Sequence, residues 1–236
     1  MRITAKLIAL GAALSVCGAA LSAQAPTDTR PTLAVMYFDN GAIGPNHKDY
    51  DALTKGIGVL LTLELSKNGK IRVVERDQLE HVMAEQKMSA NNQVSKETAV
   101  HVGKILGARH MIFGGFVIDP SGQTRLVARS VNVETSQIEQ VESVDGKVEN
   151  LMSLISQMAQ KLNESLKLPE LSKPMRDASI ESAKKVPFQV AMLYSRALAA
   201  ADGGDKGQAV TLLQKSLVQF PDYEPAKQEL KKLEQK

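Results

Sequence analysis

The sequence predicts an α/β fold in which a mixed β-sheet is backed by helices, followed by a small all-α helical hairpin. Over residues 31–168, apolar runs with strand character alternate with helical patterns in the order β-α-β-α-α-β-β-β-α. Residues 169–187 are rich in proline and charge, which is typical of a linker. Residues 188–236 show only helical periodicity. We therefore expect an α/β domain over 31–168, a linker over 169–187 and a helical module over 188–236.

The first strand and the first helix are predicted at the start of this domain. Residues 33–38 form a continuous apolar run, as expected for a strand covered on both faces. A helix is predicted over 49–67, ended by Asn68-Gly69. Its buried stripe consists of Leu53, Ile57, Leu60, Leu61 and Leu65. Gly56 and Gly58 fall inside this helix and lack the preceding strand and third glycine of a dinucleotide-binding loop.

Residues 71–117 read as strand, helix, helix, strand, and they organise the rest of the domain. Asp77 with Glu80 three residues later predicts an N-cap and capping box for the first of these helices. A polar turn over 89–93 leads to the second helix, which Gly107 is placed to end as a C-cap glycine. Gly114-Gly115 inside the following strand predicts a bulge or a close approach of two backbones.

The last part of the domain is predicted to be an antiparallel meander closed by a long helix. Strands over 125–133 and 137–144 follow the one that ends at Asp119. The closing helix is predicted over 147–168, because its apolar residues recur at helical spacing.

Three segments of this region resemble a known family. They are VVER (73–76) followed by Glu85-Gln86, GKILGARHMIFGG (103–115), and the opening strand LAVMYFDN (33–40). Together they resemble the CsgG family, named after the outer-membrane lipoprotein that exports curli subunits, over roughly residues 31–167. The resemblance implies an α/β domain without catalytic motifs. The residues that carry the family pattern are Glu75, Arg76, Glu85, Gln86, Gly103, Gly107 and Gly114.

Glu75-Arg76 allows two interpretations. In the first, the pair ties the end of the strand to the next helix, with Arg76 bonded to backbone carbonyls or to Glu85. In the second, the pair forms a surface at the end of the sheet where a partner docks.

The N-terminus predicts export. Residues 1–25 combine basic Arg2 and Lys6, an apolar run over 7–16 and an Ala-Gln-Ala exit, which is typical of a secretory signal peptide. Cys17, the only cysteine, lies inside this segment. The curli exporter is a lipoprotein, so Leu14-Ser15-Val16-Cys17 is a candidate lipidation box, although Val16 stands where glycine or alanine is preferred. The sequence leaves open whether Cys17 is lipidated or lost with the signal peptide.

Composition argues against several functions. The formal net charge is +3, and the chain has no tryptophan and only 4% aromatic residues, so it offers neither a basic excess nor a stacking platform for nucleic acid. The four histidines, His47, His81, His101 and His110, lack metal-ligand spacing, and no set of residues suggests catalysis. We therefore expect neither an enzyme nor a cofactor.

The C-terminal module resembles a tetratricopeptide repeat (TPR), a helix–turn–helix unit. The loop at 202–205 supplies a C-cap glycine and then Asp205 with Gln208 as a second capping box. The repeat register alone places Tyr194 and Leu198 on the open side of the first helix, where they are candidate partner contacts. A plain helical hairpin without a binding role is the alternative.

These observations predict an exported periplasmic protein that binds envelope or secretion machinery without catalysis. Attachment of this protein to the outer membrane is left open. Its partners are expected to be envelope proteins or further copies of itself. One alternative is a subunit of a curli-type outer-membrane secretion channel. The hairpin strands here contain Arg125 and Arg129 among their apolar residues and have short turns, so they leave no room for inserted spanning hairpins. Another alternative is an activator of a cell-wall synthase.

Overall fold

A computed structural model of the chain describes residues 28–86 and 94–235. The predicted signal peptide, Cys17 and the predicted turn over 89–93 lie outside these residues. The order of strands and α-helices is the predicted one: β1 (Thr32–Asn40), α1 (Asp51–Ser66), β2 (Arg72–Val73), α2 (Arg76–Glu85), α3 (Lys96–Leu106), β3 (His110–Ile118), β4 (Gln123–Asn132), β5 (Gln137–Lys147) and α4 (Leu151–Ser165). Short 3₁₀ helices precede α1 and α4. The C-terminal part adds α5 (Lys173–Lys184), α6 (Phe188–Asp202), α7 (Lys206–Gln219) and α8 (Glu224–Gln235).

The five strands form one mixed sheet in the order β2-β1-β3-β4-β5. β1 is parallel to both β2 and β3, whereas β3, β4 and β5 are antiparallel. The two strand–helix–strand crossovers supply the parallel pairs and the hairpins supply the antiparallel ones, as chain connectivity requires. The mixed α/β fold predicted from the sequence is confirmed.

Helices cover both faces of the sheet. One core joins the sheet to α1, α4 and the C-terminal helices, and a second core joins it to α2 and α3. A register shift in β1 between Val35 and Phe38 keeps both of these residues in the first core. Met36 and Tyr37 both face the second core. The continuous apolar run of β1 is therefore explained by burial on both sides of the sheet.

The boundaries of β2 and α2 differ from the sequence prediction. Only Arg72 and Val73 pair with β1 as a strand, whereas 71–75 was the predicted range. α2 begins at Arg76 with Glu75 as its N-cap residue, and Glu75 makes no side-chain capping hydrogen bond. The predicted Asp77/Glu80 capping box is wrong, because the N-cap residue is Glu75, two residues before Asp77, and Glu80 instead pairs with Lys55 of α1 at 3.0 Å.

Three predicted glycine and capping features are confirmed. Gly107 ends α3 in the left-handed conformation with a φ of 63°. At Gly114 a Cβ would lie 1.9 Å from the carbonyl oxygen of Val127, so the close backbone approach exists. The Asp205 carboxylate accepts the backbone N–H of Gln208 at 2.9 Å and caps α7.

The region predicted to be a linker contains α5, which packs against α4. The Asn68 side chain donates to the carbonyl of Pro169, and Ser179 of α5 donates to Glu64 of α1. These contacts fix residues 169–187 to the α/β part of the molecule. No helix in the described part of the chain has the length and apolar character of a membrane-spanning segment.

Candidate interaction surface

On the side where α2 and α3 pack, part of the sheet is not covered by any of the residues that the structure describes. Cross-strand register places Val117, Arg125 and Asp145 in one row, and Arg129 beside Val141 in another. Arg129 is paired with Phe113, which is buried in the core under α2 and α3, so these residues all face that side of the sheet. We call the uncovered set the open face: Val117, Arg125, Val127, Arg129, Ile138, Val141, Ser143 and Asp145.

The open face is unusually apolar for a solvated surface. Val117, Ile138 and Val141 are 41%, 45% and 58% exposed, and Ile43 beside Val117 is 61% exposed. These are four of the seven large apolar side chains that are markedly exposed among residues 28–86 and 94–235. Single exposed apolar residues are ordinary, but their grouping on one surface indicates an interaction site.

Of the two arginines on the open face, only Arg125 forms a salt bridge with a described residue. Arg125 donates to Asp145 at 2.6 Å. Arg129 is exposed and forms no salt bridge with another described residue. Its charge lowers the pKa of Asp39, while burial, the larger effect, raises the pKa of that carboxyl. Arg129 is therefore an exposed cation beside Val141 that has no salt-bridge partner among the described residues.

The edge of the sheet at β5, next to the open face, is protected against pairing with a further strand. No strand among the described residues pairs with the outer side of β5. The ammonium group of Lys161, on α4, reaches around this edge and donates to the carbonyl of Ser143 at 2.9 Å. A lysine at an edge strand discourages pairing with a further strand. A partner is therefore expected to pack against the open face and not to add a strand at the β5 edge.

Arg76 lies elsewhere, in a polar cluster that joins α2 to the C-terminal helices. It donates to Asp202 of α6 and, at 3.1 Å, to Glu229 of α8. Lys55 of α1 lies 2.5 Å from Asp202 and sits 4.9 Å from the centre of the Tyr37 ring. Only 12% of the Arg76 side chain is exposed. Burial disfavours the Arg76 cation, but Asp202 and Glu229 outweigh it and raise the pKa of the guanidinium.

The cluster decides between the two interpretations of Arg76 in favour of an internal role. Its predicted partners were wrong, because Arg76 contacts residues more than 100 positions away and not Glu85. Glu85 is exposed beside His81, at 3.3 Å. Gln86 ends α2 and lies 3.2 Å from His101 of α3. Sequence spacing could not reveal the true partners, since they depend on how α6 and α8 pack.

Gly103, Tyr194 and Leu198, which were also predicted as site residues, are all buried. Gly103 allows α3 to approach the sheet, since a Cβ there would lie 2.6 Å from side-chain atoms of Met111 and Val133. Tyr194 and Leu198, predicted as exposed partner contacts, are 3% and 0% exposed, and this prediction is wrong. The side that the repeat register leaves open is covered by α1.

Sequence reasoning missed the open face. Its signal was present in β4, where Val127 lies between two buried residues, and in β5, where Val141 is exposed between two half-buried polar residues. Both positions would be polar in a solvated sheet. The described residues also contain no group of three or more His, Cys, Asp or Glu side chains arranged to hold a metal ion.

Comparisons with known proteins agree with the resemblance seen in the sequence. Residues 18–118 match the family described as curli production assembly/transport component CsgG. No curated protein sequence matches the chain.

Three solved structures show low similarity to this chain. The LpoB C-terminal domain from Escherichia coli is 16% identical with a TM-score of 0.36, covering 52% of this chain and 87% of that one. The corresponding Salmonella enterica domain is 15% identical with a TM-score of 0.36, covering 50% and 82%. Lipoprotein GNA1162 from Neisseria meningitidis is 15% identical with a TM-score of 0.41, covering 57% and 98%. Similarity of this degree carries no argument about function.

The family match begins before β1 and ends with β3, so it covers the parallel part of the sheet and the helices α1, α2 and α3. It includes the motif residues from Glu75 to Gly114. Residues 18–118 of this chain are therefore similar to the CsgG family, and the two antiparallel strands β4 and β5 and the helices from α4 to α8 lie beyond the matched residues.

Proposed function

We propose that the protein is a non-catalytic adaptor of the cell envelope that docks on a partner protein through the open face. The CsgG-family match supports an envelope role without chemistry. The exposed apolar group on the open face carries the docking proposal, because such a group is stabilised when a partner removes it from water.

The open face specifies the chemistry of the partner. A complementary surface presents apolar side chains to Val117, Ile138 and Val141 and brings a carboxylate to Arg129. Interfaces of this kind draw most of their affinity from a few central residues, among which arginine is enriched. Arg129 and Val141 are cross-strand neighbours, so a single contact region can engage both.

Crosslinking in intact cells, followed by affinity capture from the envelope, tests the proposal. The matched variants are Val141→Asp and Arg129→Glu on the open face, with Val218→Asp on α7 as the control. Val218 is 82% exposed and lies away from the sheet. We expect wild type and Val218→Asp to recover one envelope protein in near-stoichiometric amount. Each open-face variant should lower the recovery about tenfold or more, the effect of removing a central contact.

Recovery of the same partner at the same level by both open-face variants would contradict the proposal. Equal thermal stability of the four proteins is the control for folding. The identity of the partner also separates the adaptor from its alternatives. A cell-wall synthase would identify an activator, and rings of this chain alone in the outer membrane would identify a channel subunit.

A further inference from the structure

The open face lies on the same two strands that α4 covers on the opposite side of the sheet. α4 packs on β4 and β5, and its apolar residues belong to the first core. On the side of the second core, α3 packs on β1, β3 and β4. The exposure of Val141 and Ile138 shows that no described residue takes the corresponding place beside α3. One helix in that place would complete the second layer on the sheet, as α4 completes the first.

The dimensions of the open face match a single α-helix. Neighbouring strands lie about 4.8 Å apart, so two strands are about 10 Å wide, which is the diameter of a helix with its side chains. The row of Val117 and the row of Ile138 are six residues apart along β3, or about 20 Å. A helix of about 14 residues has this length. α4, which covers the other face of the same strands, has 15 residues.

The apolar residues of the open face are spaced for the side chains of a helix. Each of the four cross-strand rows contains one of them: Val117 on β3, Val127 on β4, and Val141 and Ile138 on β5. They form a diagonal line, and successive rows are about 7 Å apart along the strands. Residues four apart in a helix form a ridge that is inclined to the helix axis and rises about 6 Å per step. Four apolar side chains of one helix can therefore reach the four rows.

The charges of the open face favour an acidic helix. Arg125 is already paired with Asp145, whereas Arg129 forms no salt bridge with a described residue. Arg129 lies in the same row as Val141. Residues three or four apart on a helix are neighbours on its surface, so a carboxylate near the apolar residue that contacts Val141 can also reach Arg129. Pairs of arginine with a carboxylate are among the strong hydrogen-bonded contacts in proteins.

A second β-sheet fits the open face less well than a helix. α3 stands on the sheet directly beside this surface, and Lys161 donates to the carbonyl of Ser143 across the β5 edge. A sheet in this place would be about two strands wide, and a two-stranded sheet is marginally stable at best. A single helix needs no strand partner, because its backbone hydrogen bonds are internal.

We infer that the partner docks on the open face with one amphipathic helix of about 14 residues, which carries an apolar ridge and an acidic side chain for Arg129. The helix lies beside α3 on β4 and β5, across the sheet from α4. The inference rests on the proposed function, because it concerns the same surface. It goes further by assigning the secondary structure and the charge of the partner segment.

Selection from two displayed peptide libraries on the purified protein tests the inference. Both libraries contain peptides of about 16 residues, long enough to span the open face, with random residues along one side of a helix-forming background. The second library differs only by a central proline, which breaks the helix. We expect enrichment from the first library alone. The enriched peptides should combine large apolar residues at four-residue spacing with aspartate or glutamate.

Variants of the open face show where an enriched peptide binds. Val141→Asp should weaken the binding of the fluorescently labelled peptide about tenfold, the effect of losing a central contact. Val218→Asp, away from the sheet, should bind it like wild type. Arg129→Glu should reverse the charge preference. Wild type should prefer the acidic peptide to its lysine-substituted form about fivefold, and Arg129→Glu should prefer the lysine form.

Equal enrichment from both libraries would overturn the inference, as would no enrichment over uncoated wells. A charge preference that Arg129→Glu leaves unchanged would overturn it as well. The capture experiment in cells separates these failures from failure of the proposed function. If Val141→Asp and Arg129→Glu still lower the recovery of an envelope protein, docking on the open face stands and the helical partner alone is rejected. If that recovery is also unchanged, both are rejected.

Discussion

Arg76 connects parts of the chain that are far apart in sequence. It lies at the start of α2 and contacts Asp202 on α6 and Glu229 on α8. Since Lys55 and Glu80 share the same cluster, two cations and three carboxylates meet where α1, α2, α6 and α8 converge. Such a cluster specifies how these helices fit together more than it adds net stability, because desolvation opposes the attraction between the charges.

Replacing Arg76 with alanine should destabilise the protein by about 3 kcal/mol, because Glu229 keeps its charge and loses its partner, and Asp202 is left with Lys55 alone. Urea unfolding measures the change. Arg125→Ala is the matched control, since Arg125 and Asp145 form an exposed pair and should matter little. Equal unfolding midpoints for the two variants would show that the cluster is not structural.

Three buried tyrosines predict a loss of stability in alkali. Burial raises the pKa of Tyr37, Tyr194 and Tyr223 above the ordinary value of 10.0, with nearby acidic and phenolic groups adding to the effect. Above about pH 10 the unfolded chain releases phenolic protons that the folded protein keeps, so the free energy of unfolding falls as pH rises. Below pH 10 these residues contribute no pH dependence.

The slope should approach 1.4 kcal/mol per pH unit for each buried phenol. The double variant Tyr194→Phe with Tyr223→Phe should lose most of this slope in thermal or urea unfolding between pH 9 and 11. An unchanged slope in the double variant would contradict the burial of these two phenols.

At the scale of elements, α1 is the helix that the rest of the molecule surrounds. It packs on β1, α4 and α6. Its two internal glycines face opposite neighbours. A Cβ at Gly58 would lie 2.6 Å from the carbonyl oxygen of Met36 in β1. A Cβ at Gly56 would lie 2.0 Å from the hydroxyl oxygen of Ser195 in α6. Glycine at both positions lets α1 approach the sheet and the C-terminal helices closely.

Gly56→Ala should destabilise the protein despite the better helix propensity of alanine. The propensity gain is about 1 kcal/mol, whereas displacing α6 to relieve the contact with Ser195 costs about 1–3 kcal/mol. We expect a net loss in urea unfolding. Gly69→Ala is the control, because nothing lies within 4 Å of a Cβ there, and it should be neutral or slightly stabilising. A more stable Gly56→Ala variant would contradict the close packing of α1 on α6.

Local patterns predicted most of the elements but not their long-range contacts. The strand and helix order, the Gly107 cap, the Gly114 approach and the Asp205 cap follow from periodicity and capping chemistry, which act within a few residues. The partners of Arg76 and the burial of Tyr194 depend on the packing of α6 against α1, which no local pattern encodes. The open face was missed because an exposed valine in a strand looks like a buried one in sequence.

At the scale of the whole molecule, the C-terminal helices share a core with the α/β domain. Residues of α6, α7 and α8 belong to the same apolar cluster as α1 and α4. Val190, Ala191 and Leu198 are fully buried in it. A helical hairpin with one further helix is too small to bury a sufficient core alone, and the contact with α1 completes that core.

Truncation after Leu168 should therefore give a protein that fails to fold, because the apolar side of α1 that α6 covers would face water. Circular dichroism and urea unfolding measure this, with the full-length protein as the reference. The full-length protein should unfold in one cooperative transition. A truncated protein that retains a cooperative transition would show that the α/β domain is independent of the C-terminal helices.

Docking through the open face is the central claim, and site-specific photocrosslinking in living cells tests it most directly. A photoreactive amino acid is placed at position 141 on the open face, or at position 218 on α7 as a control. The account predicts one crosslinked product between position 141 and a non-self envelope protein, and none with that protein from position 218. The absence of any product from position 141, or the same products from both positions, would contradict it.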